Sequence, residues 1–200
     1  MRNHNCLLLL IIVGLLNGCA SRKVVSSKYY FQHEKSIIAI EEKYKALYAI
    51  KPFSVEFTDH SFNYISLEII TDSLKYIYEF ELHETRLEDT LFKYQLPAKG
   101  IAQLIQQMQA IKCIWINDLD YYANAKKDYM VLMSIRPLPG QLPLTNEQYF
   151  ILTFYTQPQY FDKEGRLLAN RRVRRLRQIN GEVFYRINDK VCYTVSERFR

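Results

Sequence analysis

An arginine-rich run near the C-terminus is the most distinctive chemical feature of the sequence. Arginine occupies five of the seven positions from Arg171 to Arg177. Guanidinium groups form paired, charge-assisted hydrogen bonds with phosphates and carboxylates, so this run suits an anionic ligand or an acidic partner. The alternative is a solvated edge strand whose charges prevent aggregation. The residues alone leave both interpretations open.

The turn residues around this run predict how its side chains are arranged. Asn-Gly at 180–181 and Asn-Asp at 188–189 predict two-residue turns between strands 173–179, 182–187 and 190–196. In that register Arg175 lies opposite Arg186, and because like charges facing each other destabilise a sheet, we expect an anion or acidic group between them. Arg177 and Tyr193 both lie opposite Phe184. The predicted binding face therefore contains Arg175, Arg177, Arg186, Phe184 and Tyr193.

Hydrolysis with a histidine base is a second chemistry to consider. His60 stands between Asp59 and Ser61, and His83 precedes Glu84. Neither group matches a hydrolase pattern, because position 87 lacks the second His of zinc proteases and the chain has no Gly-x-Ser-x-Gly or Ser-x-x-Lys motif. We therefore predict no catalytic residue. A hydrolase with His60 or His83 as its base is the alternative.

Metal and cofactor sites are not predicted either. Asn117, Asp118 and Asp120 offer oxygen ligands, but Ala123 and Tyr129 stand where an EF-hand loop needs Gly and Glu. The glycines are too scattered for a phosphate-binding loop, and no Cys-x-x-Cys pair occurs. We expect a protein that needs neither a metal ion nor a cofactor.

The N-terminus has the pattern of an export signal. A polar start is followed by an apolar run at positions 6–16, about half the roughly 20 residues that span a bilayer. The run ends in Leu16-Asn17-Gly18-Cys19, which resembles the lipobox of bacterial lipoproteins. The resemblance implies cleavage before Cys19, addition of diacylglycerol to its thiol and acylation of its freed amine. An ordinary cleaved signal and a short uncleaved anchor are the alternatives.

The resemblance to lipoproteins also implies a location. Position 20 is Ala rather than Asp, a pattern typical of lipoproteins passed to the outer membrane, where the domain would face the periplasm. Two or more acyl chains would hold it there stably. Nucleic acid is not expected in that compartment. An anionic partner would be an acidic envelope protein, a lipid head group or a glycan.

The charge of the chain is unevenly distributed. The sequence contains 27 Lys and Arg and 21 Asp and Glu, and removal of the signal takes away only Arg2, which leaves 26 − 21 = +5. Positions 163–200 hold 11 basic and 4 acidic residues, or +7, so the rest of the mature chain carries about −2.

Of the four cysteines, only Cys113 and Cys192 remain for the domain. A disulfide is open to them in an oxidising compartment, but two small buried thiols is the expected state.

Periodicity predicts two helices and a set of strands. Apolar residues recur every three or four positions in 33–50 and 99–112, which indicates amphipathic helices. Segments rich in aromatic and β-branched residues with short polar breaks indicate antiparallel strands. The predicted strands before the C-terminal meander are 53–58, 62–70, 74–83, 91–95, one starting at 114–116, 129–136 and 149–156, and 117–128 is predicted as a polar loop.

These elements predict a single α+β domain at 33–200, mainly antiparallel sheet with two covering helices. Residues 1–18 are predicted as the signal peptide and 19–32 as a lipidated tether. A helix followed by strands occurs twice, at 33–95 and 98–196, and a true duplication is left open. The function we expect is a membrane-anchored envelope lipoprotein with a non-enzymatic binding or scaffolding role. Besides the hydrolase, ligand capture in an apolar cavity between sheet and helices is an alternative.

Overall fold

The first helix extends much further toward the N-terminus than its apolar pattern predicts. The computed structural model describes residues 22–123, 126–136, 147–169, 175–179 and 181–200, and helix α1 spans Arg22–Tyr48. Ile37, Ile40 and Tyr44 are fully buried, as their spacing predicts. The prediction of a tether is wrong from Arg22 onward, because Tyr30 is buried and the Tyr29 hydroxyl donates a hydrogen bond to the Ile111 carbonyl at 2.7 Å.

In the described part of the chain, an antiparallel sheet of eight strands forms the body of the protein, which confirms the predicted α+β class. Its strands are β1 Phe53–Phe57, β2 Tyr64–Ile70, β3 Lys75–Glu81, β4 Cys113–Ala123, β5 Lys126–Ile135, β6 Tyr149–Tyr155, β9 Tyr185–Arg186 and β10 Val191–Ser196. Their order across the sheet is β3-β2-β1-β4-β5-β6-β10-β9. A separate pair is formed by β7 Gln178–Ile179 and β8 Glu182–Val183.

Two further helices follow β3. The strand predicted at 91–95 is wrong, since helix α2 spans Thr85–Lys93. Leu87 and Leu91, four residues apart, are its buried positions, and this is helical rather than strand spacing. Helix α3, Ala98–Ala110, is close to its predicted range and buries Ile101 and Leu104.

The polar loop predicted at 117–128 is instead a long hairpin of β4 and β5. Asn117 pairs with Leu132, and the ladder continues outward to Ala123 and Lys126. Leu119 and Tyr121 alternate with Asp118 and Asp120, so the sequence has the two-residue alternation of apolar and polar side chains that is typical of a strand. The polar side chains lie on a face that is only half-buried at this end of the sheet.

Each face of the sheet carries its own apolar cluster. The helix-side cluster joins α1 and α3 to sheet residues that include Phe53, Met133 and Tyr193. The outer-face cluster includes Trp115, Leu132 and Phe184. Consecutive residues such as Leu132 and Met133 belong to different clusters, as the alternation of a strand requires.

Residues from the C-terminal part of the chain cover the outer face. We call the described residues of 157–190 the C-terminal cap. Leu167 and Phe184 of the cap are buried in the outer-face cluster. Beyond β10, the tail crosses the same face, where the Ser134 hydroxyl donates to the Phe199 carbonyl and Arg200 lies 2.7 Å from Glu56. Among the described helices, none is long and apolar enough to cross a membrane.

Candidate functional surface

The predicted arginine face is not assembled, because the residues around Arg175 pair with residues 167–169 instead. Backbone hydrogen bonds join Ala169 to Arg175 at 2.6 Å and Arg177 to Leu167 at 2.9 Å. The turn at Gly181 does place Ile179 opposite Glu182, as predicted. On the N-terminal side of Gln178, the chain leaves β8 and pairs with residues 167–169, so the predicted contact between Arg175 and Arg186 is wrong.

The second turn of the meander is one residue longer than predicted. Ile187 donates its backbone N–H to Val191, and the Asn188 side chain accepts the N–H groups of Lys190 and Val191. Tyr193 consequently pairs with Tyr185 rather than with Phe184. A shift of one residue in register moves every side chain to the other face of a strand.

This shift separates the two aromatic residues of the predicted face. Phe184 is 1% exposed and belongs to the outer-face cluster, whereas Tyr193 is 2% exposed and belongs to the helix-side cluster. Neither side chain reaches solvent, so neither can stack against a ligand on the surface. The prediction that both line a binding face is wrong, and both are core residues.

Arg177 is held inside the C-terminal cap. Its guanidinium donates to the Gln159 side chain and to the Ala169 carbonyl, each at 3.2 Å. It also lies 5.9 Å from the ring centre of Tyr121 and 5.5 Å from that of Tyr155, so it makes cation–π contacts with the sheet. These contacts join the cap to the outer face, and we assign Arg177 a structural role.

Arg186 is also engaged within the cap, but nearer to solvent. Its side chain forms an ion pair with Asp189 at 2.6 Å and lies 5.5 Å from the ring centre of Phe161. Both charged groups are at least half exposed, so the pair contributes about 1 kcal/mol or less. Arg175 is also exposed, and it is the arginine of the predicted face that is best placed for an external partner.

The histidines proposed as hydrolytic bases do not form a catalytic cluster. The His60 side chain is 75% exposed and lies 3.6 Å from Glu147. Both carboxylate oxygens of Asp59 accept backbone N–H groups of the same turn, from Ser61, Asn63 and Tyr64. Burial alone would raise the pKa of Asp59, but these hydrogen bonds together lower it. Asp59 therefore shapes the turn, and no bond joins it to His60.

His83 lies at the rim of a groove between α2 and α3. The groove has a volume of about 680 Å³ and is also lined by Leu87, Leu91 and Gln106. The His83 side chain is exposed. In the described part of the chain, no cluster of three or more His, Cys, Asp or Glu side chains could hold a metal ion. Glu84, Thr85 and Glu88 line the same groove, but among the described residues no hydrogen bond or ion pair joins His83 to a carboxylate or a hydroxyl.

The space between sheet and helices is filled rather than hollow. Phe53, Ile69, Ile101 and Phe150 meet there with no measurable exposure and belong to one continuous cluster. The grooves found on the described residues open at the surface, as the one beside His83 does. An apolar ligand would have to displace core side chains to enter this layer.

Asp118 is a half-buried carboxyl that the sequence did not single out as a titrating group. Partial burial and the neighbouring charge of Asp120 raise the pKa of Asp118 to about 6, although Lys45 and Lys127 oppose the shift. Asp120 itself is exposed and forms an ion pair with Lys127 at 2.9 Å. Because β4 is a strand, Asn117 and Asp118 point to opposite faces, so these residues do not converge on a cation.

Replacing Asp118 by Asn should stabilise the protein at neutral pH. The protonated carboxyl of Asp118 favours the folded state. Its contribution to stability is complete when the pH is below the ordinary pKa of 3.8, and it is lost as the pH rises through the folded-state pKa of about 6. After allowance for solvent screening, we expect Asp118→Asn to raise the free energy of unfolding by about 1 kcal/mol at pH 7.5. Urea denaturation at pH 7.5 and 4.5 measures the effect, which should shrink at the lower pH.

A matched control for this prediction is Asp89→Asn, which removes a carboxylate from the exposed face of α2. We expect a change of less than about 0.5 kcal/mol at both pH values. An Asp118→Asn effect that is equally large at both pH values would contradict the prediction.

The two domain cysteines are free and buried, as expected. Cys113 belongs to the helix-side cluster and Cys192 to the outer-face cluster. Burial raises the pKa of each thiol to about 12, so both are protonated and unreactive at physiological pH. Their positions on opposite faces of the sheet explain why they do not pair.

The remaining site prediction, lipidation of Cys19, falls outside the described residues. Comparison of the chain with known protein families, with curated protein sequences and with solved structures gives no match.

Proposed function

We propose that this protein is a membrane-anchored envelope lipoprotein, attached through a diacylated Cys19 and acting by binding or scaffolding rather than by catalysis. The observation that carries the proposal is the sequence Leu16-Asn17-Gly18-Cys19 at the end of a short apolar run. We place the domain at the outer membrane, facing the periplasm. Ala20 after the cysteine supports that assignment.

The start of helix α1 bears on how such a domain would sit on a membrane. The helix begins at Arg22, three positions after Cys19, and Tyr29 and Tyr30 already contact the body of the domain. Tyr29 is ten positions after Cys19, so a lipid on Cys19 would hold the folded domain close to the bilayer. This geometry suits a protein that works at the membrane surface.

Charge supports an acidic partner for the C-terminal part of the chain. The +7 of positions 163–200 includes exposed side chains at Arg175, Lys190 and Arg198. Complementary charge speeds association and selects among partners. We propose a carboxylate-rich envelope protein as the partner, and an anionic lipid or glycan is the outcome to be distinguished from it.

Reversing the charge of Arg175 should weaken this association. We expect Arg175→Glu to lower recovery of a crosslinked partner from intact envelopes by about tenfold, because an attraction of roughly 1 kcal/mol becomes a repulsion. Arg186 is unsuitable for the test, since its reversal also breaks the ion pair with Asp189. Quantitative mass spectrometry of crosslinked complexes measures the effect.

Lys35→Glu is the matched control, with the same charge change at an exposed position of α1. It should leave recovery unchanged. If Arg175→Glu recovers as much partner as the wild type, we would infer that Arg175 keeps the protein soluble rather than binding a partner. Retention on anionic vesicles that depends on Arg175, without a protein crosslink, would point to lipid as the partner.

A further inference from the structure

One long edge of the sheet is uncovered. Strand β3 ends the strand order, and its other neighbour position is empty among the described residues, whereas the opposite edge is the two-residue strand β9. Large apolar side chains on and beside β3 face solvent, with Leu74 57%, Tyr76 37% and Ile77 65% exposed. Seven residues of strand with exposed apolar groups form a template for pairing with another strand.

The backbone of β3 has its free hydrogen-bonding groups at odd-numbered residues. The N–H of Leu82 donates to Asn63 and the N–H of Thr71 donates to Leu74, which fixes the even-numbered residues as those bonded to β2. In an antiparallel ladder the alternate residues point the other way. The N–H and C=O groups of Lys75, Ile77 and Glu79 are therefore directed outward from the sheet.

The usual protections of an edge strand are weak here. The segment Lys75-Tyr-Ile-Tyr-Glu-Phe-Glu81 contains no proline, and its register with β2 runs without a bulge. Its charges are Lys75 at one end and Glu79 and Glu81 at the other. That arrangement does not repel an antiparallel copy of the same strand, because each lysine then approaches glutamates.

We propose that β3 pairs with β3 of a second copy, antiparallel about a two-fold axis at Ile77. In this register Ile77 faces Ile77 of the second copy, Tyr76 faces Tyr78, and Lys75 faces Glu79. Apolar and aromatic pairs and opposite charges are the cross-strand pairs that stabilise a sheet. The same register brings the outward backbone groups of both strands opposite each other, so each such residue pair exchanges both N–H···O bonds.

A shift of the axis to Tyr78 gives a poorer match. Lys75 would then face Glu81, but Ile77 would face the carboxylate of Glu79 on both sides of the axis.

Because opposite residues share a face, the Ile77 register also places Tyr76 and Tyr78 of the two copies together on the helix side, beside Tyr94. Tyr78 and Tyr94 already share a hydrogen bond of 2.7 Å between their hydroxyls. The dimer would be one continuous sheet with all helices on the same side.

A charge swap tests the proposed register. For the full chain purified in detergent, we expect a dimer by analytical ultracentrifugation. Lys75→Glu and Glu79→Lys should each weaken dimerisation by about tenfold or more, since each places like charges opposite each other twice. The double variant Lys75→Glu/Glu79→Lys should restore the dimer. Lys75 and Glu79 are four strand positions apart, so a contact within one chain does not explain that restoration.

Thermal unfolding of each variant checks that the fold is kept, because Lys75 also forms an exposed ion pair with Glu68 in its own chain. A wild-type chain that stays monomeric at high concentration would overturn the proposal. A double variant that folds but stays monomeric would overturn the register.

A disulfide crosslink provides a second measurement. Ile77→Cys should give a crosslinked dimer under mild oxidation, since Cα atoms of a hydrogen-bonded pair are about 5.5 Å apart, within disulfide range. Phe92→Cys, at a position 86% exposed on α2, is the control and should not crosslink. Equal crosslinking of both variants would indicate random collision and contradict the pairing. The wild-type chain reports any crosslink through Cys6 or Cys19, because Cys113 and Cys192 are buried.

Discussion

Replacing Phe184 by Ala should lower the free energy of unfolding by about 3–5 kcal/mol, the usual cost of removing a buried aromatic side chain. Phe184 is 1% exposed and packs with Leu167 and Cys192 in the outer-face cluster. Loss of its ring would leave a cavity beneath the C-terminal cap and detach the cap from the sheet. Urea denaturation measures the loss, and protease cleavage within the cap shows whether it is released first.

Arg175→Ala is the control for this prediction, because both residues belong to the binding face that the sequence suggested. Arg175 is exposed, and its truncation should change stability by less than about 0.5 kcal/mol. A Phe184→Ala variant that keeps wild-type stability but loses a binding partner would contradict the buried position. It would restore Phe184 to a surface role.

Replacing Cys19 by Ser should block maturation of the protein completely. Under the proposed function, the thiol of Cys19 is the atom that receives the first lipid, and cleavage follows this step. A Cys19→Ser chain should therefore retain residues 1–18 and take up no labelled palmitate, since a hydroxyl does not replace the thiol nucleophile. Gel mobility and palmitate labelling of cells that express the variant measure both effects.

Cys6→Ser is the matched control, because it changes the other N-terminal cysteine inside the apolar run. This variant should be cleaved and labelled like the wild type. Normal cleavage and labelling of Cys19→Ser would end the lipoprotein proposal and favour an ordinary signal peptide.

Local periodicity was enough to predict much of the fold. The spacing of Ile37, Ile40 and Tyr44 correctly predicted the buried face of α1. The polar breaks after β1 and β2 correctly predicted the antiparallel hairpins that these strands form. These predictions succeeded because burial of one face leaves a repeat of 3.6 or 2 residues in the sequence. The fold class followed from the same signals.

Errors arose where tertiary contacts outweigh the local pattern. Residues 22–32 have no clear apolar repeat, yet Tyr29 and Tyr30 pack against the domain and extend α1. Asp118 and Asp120 led to the prediction of a loop, although the alternation of Leu119 and Tyr121 with them is typical of a strand. The contacts that extend α1 join it to residues distant in sequence, such as Ile111. The β4–β5 hairpin pairs residues that are close in sequence, and the acidic side chains hid its alternation.

The predicted site failed for a more specific reason. Its geometry depended on counting residues across two turns, and the turn at Asn188 holds one more residue than assumed. A single added residue reverses the faces of a strand, so Phe184 and Tyr193 moved into separate cores. Sequence identified the arginines as unusual, but only the contacts show that Arg177 joins the cap to the sheet and that Arg186 pairs within the cap.

The most direct test of the proposed anchor is the mass of the N-terminal peptide of the protein isolated from bacterial membranes. The proposal predicts a peptide that begins at Cys19 and carries diacylglycerol on the thiol and a fatty acid on the amine. A peptide that begins at Met1, or at another residue with an unmodified Cys19, would contradict it.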